Sequence, residues 1–277
     1  MANALMFKDL VEALQNVGLK KGDLVFVHSD LRPFGKPEGC EEREPILNFY
    51  WKAFQEVLGP EGTIAVPAYF YEYARLGEPF DERLSPVSKP LGVFSSFIAS
   101  LPERVRSLNP LQSIAAVGPL AEGLCKSSSL AGYGVTSPWH RLRDLRGKIL
   151  FLGTTIQPMT YVHHIEQQFG VPHLYTKIYP YPVISNGVPI QGTVTSSVRY
   201  LEYGIEYQLE YFQKVLTDQG LLNTYSLHGA PLYLIGAEDA FQAGIAQLLQ
   251  NPYCFLKTPP SFIEGKIPTD GITGKKR

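Results

Sequence analysis

The sequence lacks the motifs that assign the most common nucleotide-binding and hydrolase folds. No G-x-x-x-x-G-K-[ST] segment occurs, which argues against a P-loop nucleotidase. No G-x-G-x-x-G segment follows the first predicted strand, so an ordinary dinucleotide-binding domain is not expected. A G-x-S-x-G elbow is also absent, which argues against an α/β-hydrolase. The chemistry of this chain must therefore depend on its histidines and acids.

Cysteine and net charge are also scarce. The three cysteines, Cys40, Cys125 and Cys254, form no C-x-x-C pair, so we predict reduced thiols rather than a zinc knuckle or a redox pair. The formal net charge of −1 provides no basic surface for nucleic acid or for an acidic membrane. The N-terminal segment does not resemble a signal peptide, and no apolar run reaches about 18 residues. We therefore expect a cytoplasmic protein without nucleic-acid or membrane partners.

Short apolar runs alternate with amphipathic segments along the chain. The predicted strands are Leu24–His28, Thr63–Val66, Gly147–Gly153 and Pro231–Ile235. The predicted helices are Phe7–Val17, Pro45–Leu58, Val93–Leu101, Pro158–Gln168, Val198–Thr217 and Glu238–Leu249. This alternation predicts an α/β fold with a mixed, largely parallel central sheet covered by helices on both faces. We predict one domain over residues 1–258 and a surface or partly disordered tail over residues 259–277.

The helix that follows the strongest predicted strand carries two adjacent histidines. In a helix His163 and Glu166 are neighbours at i,i+3, and the pattern places His163 toward the apolar face and His164 on the opposite side. A carboxylate beside an imidazole can fix its tautomer and stabilise the imidazolium, as a general base requires. His28 ends the first predicted strand, where ligands bind in α/β sheets. We expect His140 and His173 at the surface.

Two other interpretations of the histidines remain open at this point. His163 and Glu166 could be a core histidine and the acid that satisfies it. The same spacing occurs in zinc peptidases, for which His28 or His228 would supply a distant ligand. His28 itself could be bonded only to a backbone carbonyl at the strand end.

Six segments, in order, resemble the aminoglycoside 3-N-acetyltransferase family over roughly the first two-thirds of the chain. They are Val27–Arg32, Gly62–Pro67, Phe80–Asp81, Arg106–Gly118, Tyr133–Leu142 and the histidine helix. Two positions depart from the family pattern: Asp30 replaces a serine, and Asn109 stands where the family typically has histidine. The last segment contains the family's motif of histidine, two residues and glutamate, which falls on His163 and Glu166.

The resemblance implies transfer of an acetyl group from acetyl-coenzyme A to an amine, with no metal. His163 would take the proton from the amine, directly or through a water, Glu166 would orient His163, and His28 is a third candidate catalytic residue. Coenzyme A, an anion with a long polar arm, needs donors and a positive group. The candidates for binding it are Ser29, Asp30, Leu31, Arg106, Ser107, Ser113 and Ser137.

The acceptor is expected to be an amino sugar. The loop after the second predicted strand carries aromatic rings that could stack on a sugar and acids that could pair with ammonium groups; its candidate substrate residues are Tyr69, Tyr71, Glu72 and Asp81. A polycationic aminoglycoside suits such a loop, but the near-neutral chain slightly favours a nucleotide-linked biosynthetic amino sugar. A zinc-dependent hydrolase and a coenzyme A-binding protein without catalysis are the alternatives, and a homo-oligomer is possible.

Overall fold

The computed structural model describes residues 4–126 and 130–266. Its strands are β1 (Leu24–Ser29), β2 (Thr63–Pro67), β3 (Phe80–Asp81), β4 (Val105–Arg106), β5 (Ile114–Val117), β6 (Lys148–Leu152), β7 (Leu174–Tyr179), β8 (Val183–Ser185), β9 (Val188–Pro189), β10 (Val194–Arg199), β11 (Asn223–Leu227) and β12 (Ala230–Gly236). Its helices are α1 (Phe7–Asn16), α2 (Arg43–Leu58), α3 (Glu72–Leu76), α4 (Val93–Ile98), α5 (Ala121–Cys125), α6 (Pro138–Asp144), α7 (Tyr161–Phe169), α8 (Glu210–Asp218) and α9 (Ala237–Gln250).

Seven strands form the central sheet in the order β11-β12-β6-β1-β2-β5-β4. The middle strand β1 is parallel to both of its neighbours, β2 and β6. The outer pairings are antiparallel, so β5 and β12 run against the other five strands. The predicted α/β class with a mixed, largely parallel sheet is confirmed.

Helices cover both faces of this sheet because its central strands are apolar on both sides. Phe26 and Phe151 point to a core under α5–α9, whereas Val27 and Leu150 point to a second core under α1, α2 and α4. Side chains alternate across a strand, so continuous apolar runs such as β1 and β6 require a cover on each face. The predicted buried strands therefore belong to the sheet centre.

Two small sheets lie outside the central one. The strands β7 and β10 form an antiparallel pair, and β3, β8 and β9 form a three-stranded sheet. A turn at Asn186 and Gly187 joins β8 to β9, with positive φ at both residues, as a tight hairpin requires. These small sheets enclose a third apolar cluster and contribute much of the candidate site.

The predicted helix over Val198–Thr217 is confirmed for residues 210–217 and wrong for residues 198–209. The chain continues β10 to Arg199, passes a short 3₁₀ turn, and becomes helical only at Glu210. Residues 194–199 pair along their whole length with β7, for example Val198 with Tyr175. Pairing with a distant strand thus outweighs the helical spacing of the local sequence.

The end of β6 requires a glycine. Gly153 has φ 72°, and a Cβ there would lie 2.1 Å from the carbonyl oxygen of Asp30. Only glycine permits this backbone conformation and close approach without displacing the segment after β1. The residue thereby lets the C-terminal ends of β1 and β6 lie side by side, where a cavity opens.

Within residues 4–126 and 130–266 no helix is long and apolar enough to cross a membrane. Residues 261–266 are exposed, and Phe262 packs against Tyr200 and Tyr203. The predicted domain boundary at residue 258 stays a prediction, and residues 1–3, 127–129 and 267–277 of the predicted domain and tail lie outside the described residues.

Candidate active site

Three side chains converge on the carboxylate of Glu166 in α7. His163 Nδ1 donates to Glu166 Oε2 at 2.9 Å, and Tyr207 Oη donates to the same oxygen at 2.8 Å. His173 Nε2 donates to the other oxygen, Oε1, at 2.9 Å. Glu166 and His173 are fully buried, whereas the side chain of His163 is 30% exposed. Of the two histidines on Glu166, only His163 can therefore meet a substrate.

The carboxylate of Glu166 is held in its ionised form. Burial by itself raises the pKa of Glu166, but the hydrogen bonds and charges of His163 and His173 outweigh it and leave the pKa below its ordinary value. The bond to Glu166 also places the proton of His163 on Nδ1, because a carboxylate can only accept. The opposite nitrogen, Nε2, is then the one available to take a proton.

His163 lines a cavity of about 380 Å³, the tyrosine pocket. Six tyrosines line it: Tyr69, Tyr71, Tyr133, Tyr175, Tyr179 and Tyr207. The pair β7–β10 supplies further polar side chains, Lys177, Ser197 and Arg199. Aromatic rings with hydroxyl groups suit a hydroxylated ring, since they offer both flat surfaces and hydrogen bonds.

A second cavity, the strand-end cavity, has a volume of about 300 Å³ and lies at the C-terminal ends of β1, β2 and β6. His28, Ser29, Pro67 and Thr154 line it. Burial lowers the pKa of His28 to about 3, so this imidazole is neutral, and its Nε2 atom is buried without a hydrogen-bond partner. Buried polar atoms are normally satisfied, so His28 Nε2 is suited to bond a polar group of a ligand in this cavity.

The two cavities adjoin, although His163 lines only the tyrosine pocket of the two. Tyr69, Tyr71 and Thr160 line both of them, and Thr160 precedes the first residue of α7. One molecule in each cavity would therefore meet close to the exposed edge of His163. Such an arrangement could hold two reactants beside a candidate base.

Among the candidate site residues, the structure brings His28, Ser29, Tyr69, Tyr71, His163 and Glu166 together, and the roles of these residues stay predictions. Asp30 lies next to them, but its carboxylate is paired with Arg32 at 2.6 Å. Leu31 packs against the core under α1, α2 and α4.

The other four candidates for coenzyme A binding are buried and bonded to the backbone. Arg106 donates to the carbonyl oxygens of Ser85 and Ala68, and it lines a separate cavity that His163 does not reach. Ser107 accepts from the Ile114 amide, Ser113 donates to the Ala68 carbonyl, and Ser137 caps α6. This placement supports a structural role for these four residues and gives no support to contact with coenzyme A.

Glu72 and Asp81 do not line the tyrosine pocket. Glu72 accepts a hydrogen bond from the hydroxyl of Ser88 at 2.8 Å. Asp81 accepts from the backbone amides of Arg83 and Leu84 at the turn after β3. Both acids satisfy groups of their own loop, so their predicted contact with the substrate is not supported.

The predicted orientation of the histidines on α7 is wrong. His164 is fully buried, with Nδ1 2.8 Å from the carbonyl oxygen of Tyr133, whereas His163 is partly exposed. The helix is covered by α6 and α9 on one side and by the site on the other, so it has no solvent face opposite its apolar stripe. The prediction of a surface histidine is wrong at His173, which is fully buried, whereas His140 is 18% exposed and packs against His164.

Sequence reasoning missed His173, Tyr207 and the residues of β7 and β10. Tyr207 lies 41 residues from Glu166, in a segment predicted as helix interior. Asn109, where the family typically has histidine, donates from Nδ2 to the carbonyl oxygens of Leu130 and Thr195 and so anchors β10. Local periodicity carries no signal for such contacts.

The described residues do not provide the set of ligands that a zinc hydrolase would need. Among the described residues there is no group of three or more histidine, cysteine, aspartate or glutamate side chains that could hold a metal ion. His228, one proposed third ligand, lies exposed at the turn between β11 and β12.

Comparison with known proteins relates the chain to one enzyme family. The family model described as aminoglycoside 3-N-acetyltransferase matches residues 26–249. The chain is 32% identical over 192 residues to an aminoglycoside N(3)-acetyltransferase III of a Salmonella species, an alignment that spans 64% of this chain and 65%, just under two thirds, of that relative. It is 30% identical over 260 residues to an aminoglycoside N(3)-acetyltransferase IV, also of a Salmonella species, over 91% of this chain and 90% of the relative.

A solved structure extends the likeness to the whole fold. The crystal structure of a histidine-to-alanine mutant of aminoglycoside acetyltransferase AAC(3)-IVa, in complex with a gentamicin, has a TM-score of 0.77 to this chain at 26% identity, over 94% of both chains. The family match, the sequence identity and the fold agree. The chain belongs to the aminoglycoside 3-N-acetyltransferase family.

Proposed function

We propose that this protein transfers an acetyl group from acetyl-coenzyme A to an amino group of an amino sugar. The observation that carries the proposal is the position of His163, which is bonded to the buried carboxylate of Glu166 and lines the tyrosine pocket. This pocket shares Tyr69, Tyr71 and Thr160 with the strand-end cavity. Family membership makes the chain an N-acetyltransferase. The names of the relatives specify aminoglycosides, so aminoglycosides are the first acceptors to test. These names lend no support to the predicted preference for a nucleotide-linked sugar.

The chain's residues divide the reaction between the two cavities. Acetyl-coenzyme A supplies a thioester carbonyl as electrophile and a thiol as leaving group. The tyrosine pocket would hold the acceptor with its amine against His163 Nε2. The amine forms the new bond to carbon as His163 takes its proton, and the carbon–sulfur bond breaks as the proton passes to the departing sulfur. Glu166 stays ionised and stabilises the imidazolium of His163 meanwhile.

His28 would act on the donor side of the site. It is neutral, and in its Nε2–H tautomer it could donate a hydrogen bond to the oxygen of the thioester carbonyl in the strand-end cavity. A donor aimed at developing negative charge lowers the barrier most in a buried site. This role makes His28 a candidate catalytic residue that complements the base.

Thiol release from acetyl-coenzyme A in the presence of amines tests the proposal. We expect His163→Asn to lower kcat by about 10²-fold or more, because the general base is removed. His228→Asn, an exposed histidine outside both cavities, is the matched control and should leave kcat unchanged. Equal rates for the two variants, or no thiol release with any amine, would overturn the proposal.

The alternatives predict different results in the same preparation. A zinc hydrolase would contain stoichiometric zinc and lose activity with a chelator, and a non-catalytic protein would bind coenzyme A without turnover. Cytoplasmic location and a homo-oligomeric state stay predictions.

A further inference from the structure

One side of the tyrosine pocket is formed by a segment with little regular structure. Residues 200–208, the pocket wall, lie between β10 and α8 and contain a 3₁₀ turn at Leu201–Tyr203, whose two backbone hydrogen bonds are 3.3 and 3.4 Å long. Leu201 and Tyr207 of this wall line the pocket, and the Tyr207 hydroxyl donates to Glu166. Segments with few hydrogen bonds of their own open readily, so the wall needs support from elsewhere in the fold.

The backbone after α9 supports one end of the pocket wall. The amide of Gln208 donates to the carbonyl oxygen of Phe255 at 2.9 Å, and the amide of Lys257 donates to the carbonyl oxygen of Glu206 at 2.9 Å. The ammonium group of Lys257 is also 2.9 Å from the Glu206 carboxylate. Tyr207 lies between these bonds, so the C-terminal segment fixes the backbone of a residue that contacts Glu166.

The aromatic ring of Phe262 supports the other end of the wall. Its centroid is 5.0 Å from that of Tyr203 and 6.3 Å from that of Tyr200, with both pairs edge to face. Tyr200 in turn stacks at 4.7 Å on Tyr175, a ring that lines the pocket. Such aromatic pairs stabilise a fold beyond the apolar area that they bury. Phe262 is therefore linked to the pocket through Tyr200 without lining it itself.

We propose that residues 255–266, the C-terminal strap, hold the pocket wall in place for the acceptor amine, and that Phe262 is a positioning residue for acceptor binding. A wall that is ordered before the acceptor arrives spares the cost of ordering it on binding. The strap includes the start of the segment predicted as a surface tail, so this part of the tail serves the site. The assignment rests on the proposed acetyl transfer.

Replacing Phe262 by alanine tests the strap in the full-length chain. Thiol release from acetyl-coenzyme A is measured with neamine and with gentamicin as acceptors. We expect KM for both amines to rise by about 3- to 10-fold, because the aromatic contacts that hold the wall are lost. The value of kcat and the KM for acetyl-coenzyme A should stay within about twofold of the wild type, because Phe262 lines neither the tyrosine pocket nor the strand-end cavity.

Two further variants separate the ring contacts from a general effect of the tail. Ile263→Ala shortens the neighbouring apolar side chain, which is 58% exposed, and should leave every kinetic constant unchanged. Phe262→Tyr keeps the ring and should retain the wild-type KM for both amines. Hydrogen exchange of the amides in residues 200–208 should be faster in Phe262→Ala than in either of these variants.

The outcomes separate the two proposals. An unchanged KM for the amines in Phe262→Ala, an equal rise in KM for acetyl-coenzyme A, or the same rise in Ile263→Ala overturns the role of the strap while leaving acetyl transfer intact. Unchanged exchange in residues 200–208 also overturns it. No thiol release from the wild type with these amines or with a wider aminoglycoside panel overturns acetyl transfer itself, and the role of the strap in acceptor binding falls with it.

Discussion

Replacing Glu166 by glutamine tests the central feature of the site, the fixed negative charge behind His163. The variant keeps the size and shape of the side chain but presents an amide to three donors, from His163, His173 and Tyr207. At least one of these donors must then face the NH₂ group. If the amide nitrogen faces His163, Nδ1 must accept and Nε2 carries the proton, so the base is blocked.

The size of the expected fall in kcat follows from the distance between His163 and Glu166. An imidazolium and a carboxylate 2.9 Å apart attract each other by about 6 kcal/mol at an effective dielectric constant of about 20. Glutamine retains part of this attraction as a neutral hydrogen bond. We therefore expect the Glu166→Gln variant to lose about 3 to 5 kcal/mol of transition-state stabilisation. That corresponds to a fall in kcat of about 10²- to 10⁴-fold.

The assay is thiol release at saturating acetyl-coenzyme A and amine, with thermal unfolding to verify the fold. Glu56→Gln, an exposed position on α2, is the matched control and should keep full activity. A folded Glu166→Gln protein that retains more than a tenth of the wild-type kcat would refute the idea that this carboxylate stabilises the imidazolium.

Two further predictions concern the second donor to Glu166 and the buried neutral histidines. His173→Leu removes the bond to Glu166 Oε1, which should destabilise the fold by about 1–3 kcal/mol and raise the pKa of Glu166, so that the acid limb of the kcat profile moves to higher pH. His173→Gln should restore the wild-type profile if its amide donates to the same oxygen, and identical profiles for the leucine and wild-type proteins would contradict the prediction. Burial lowers the pKa of His28 to about 3 and that of His164 to about 4, so both stay neutral when folded while the unfolded chain binds protons from about pH 6.5 downward. Their contribution to stability is therefore complete above about pH 6.5 and is lost as the pH falls toward 4, by about 1.4 kcal/mol per pH unit for each histidine below about pH 5.5. Urea unfolding should show this slope and a smaller one in His164→Asn, and a free energy of unfolding that is constant from pH 7 to 5 would contradict it.

The sequence by itself determined the fold class and the pairing of His163 with Glu166. Apolar runs such as β1 and β6 must be covered on both faces, which leads to an α/β sheet. His163 and Glu166 are neighbours at i,i+3 on one helix, which allows their side chains to meet at 2.9 Å. The fold class and the proximity of these two residues both follow from the spacing of residues along the sequence.

Only the tertiary structure decided how the pair is buried and what surrounds it. Helix α7 is covered on two sides, so the helical pattern could not tell which of His163 and His164 reaches the cavity. His173 and Tyr207 reach Glu166 from outside α7, and Arg199 enters the tyrosine pocket because β10 pairs with β7 instead of forming a helix. Such contacts depend on how distant segments close around the sheet, and the free energy of that closure is shared among many packed side chains that local periodicity does not record.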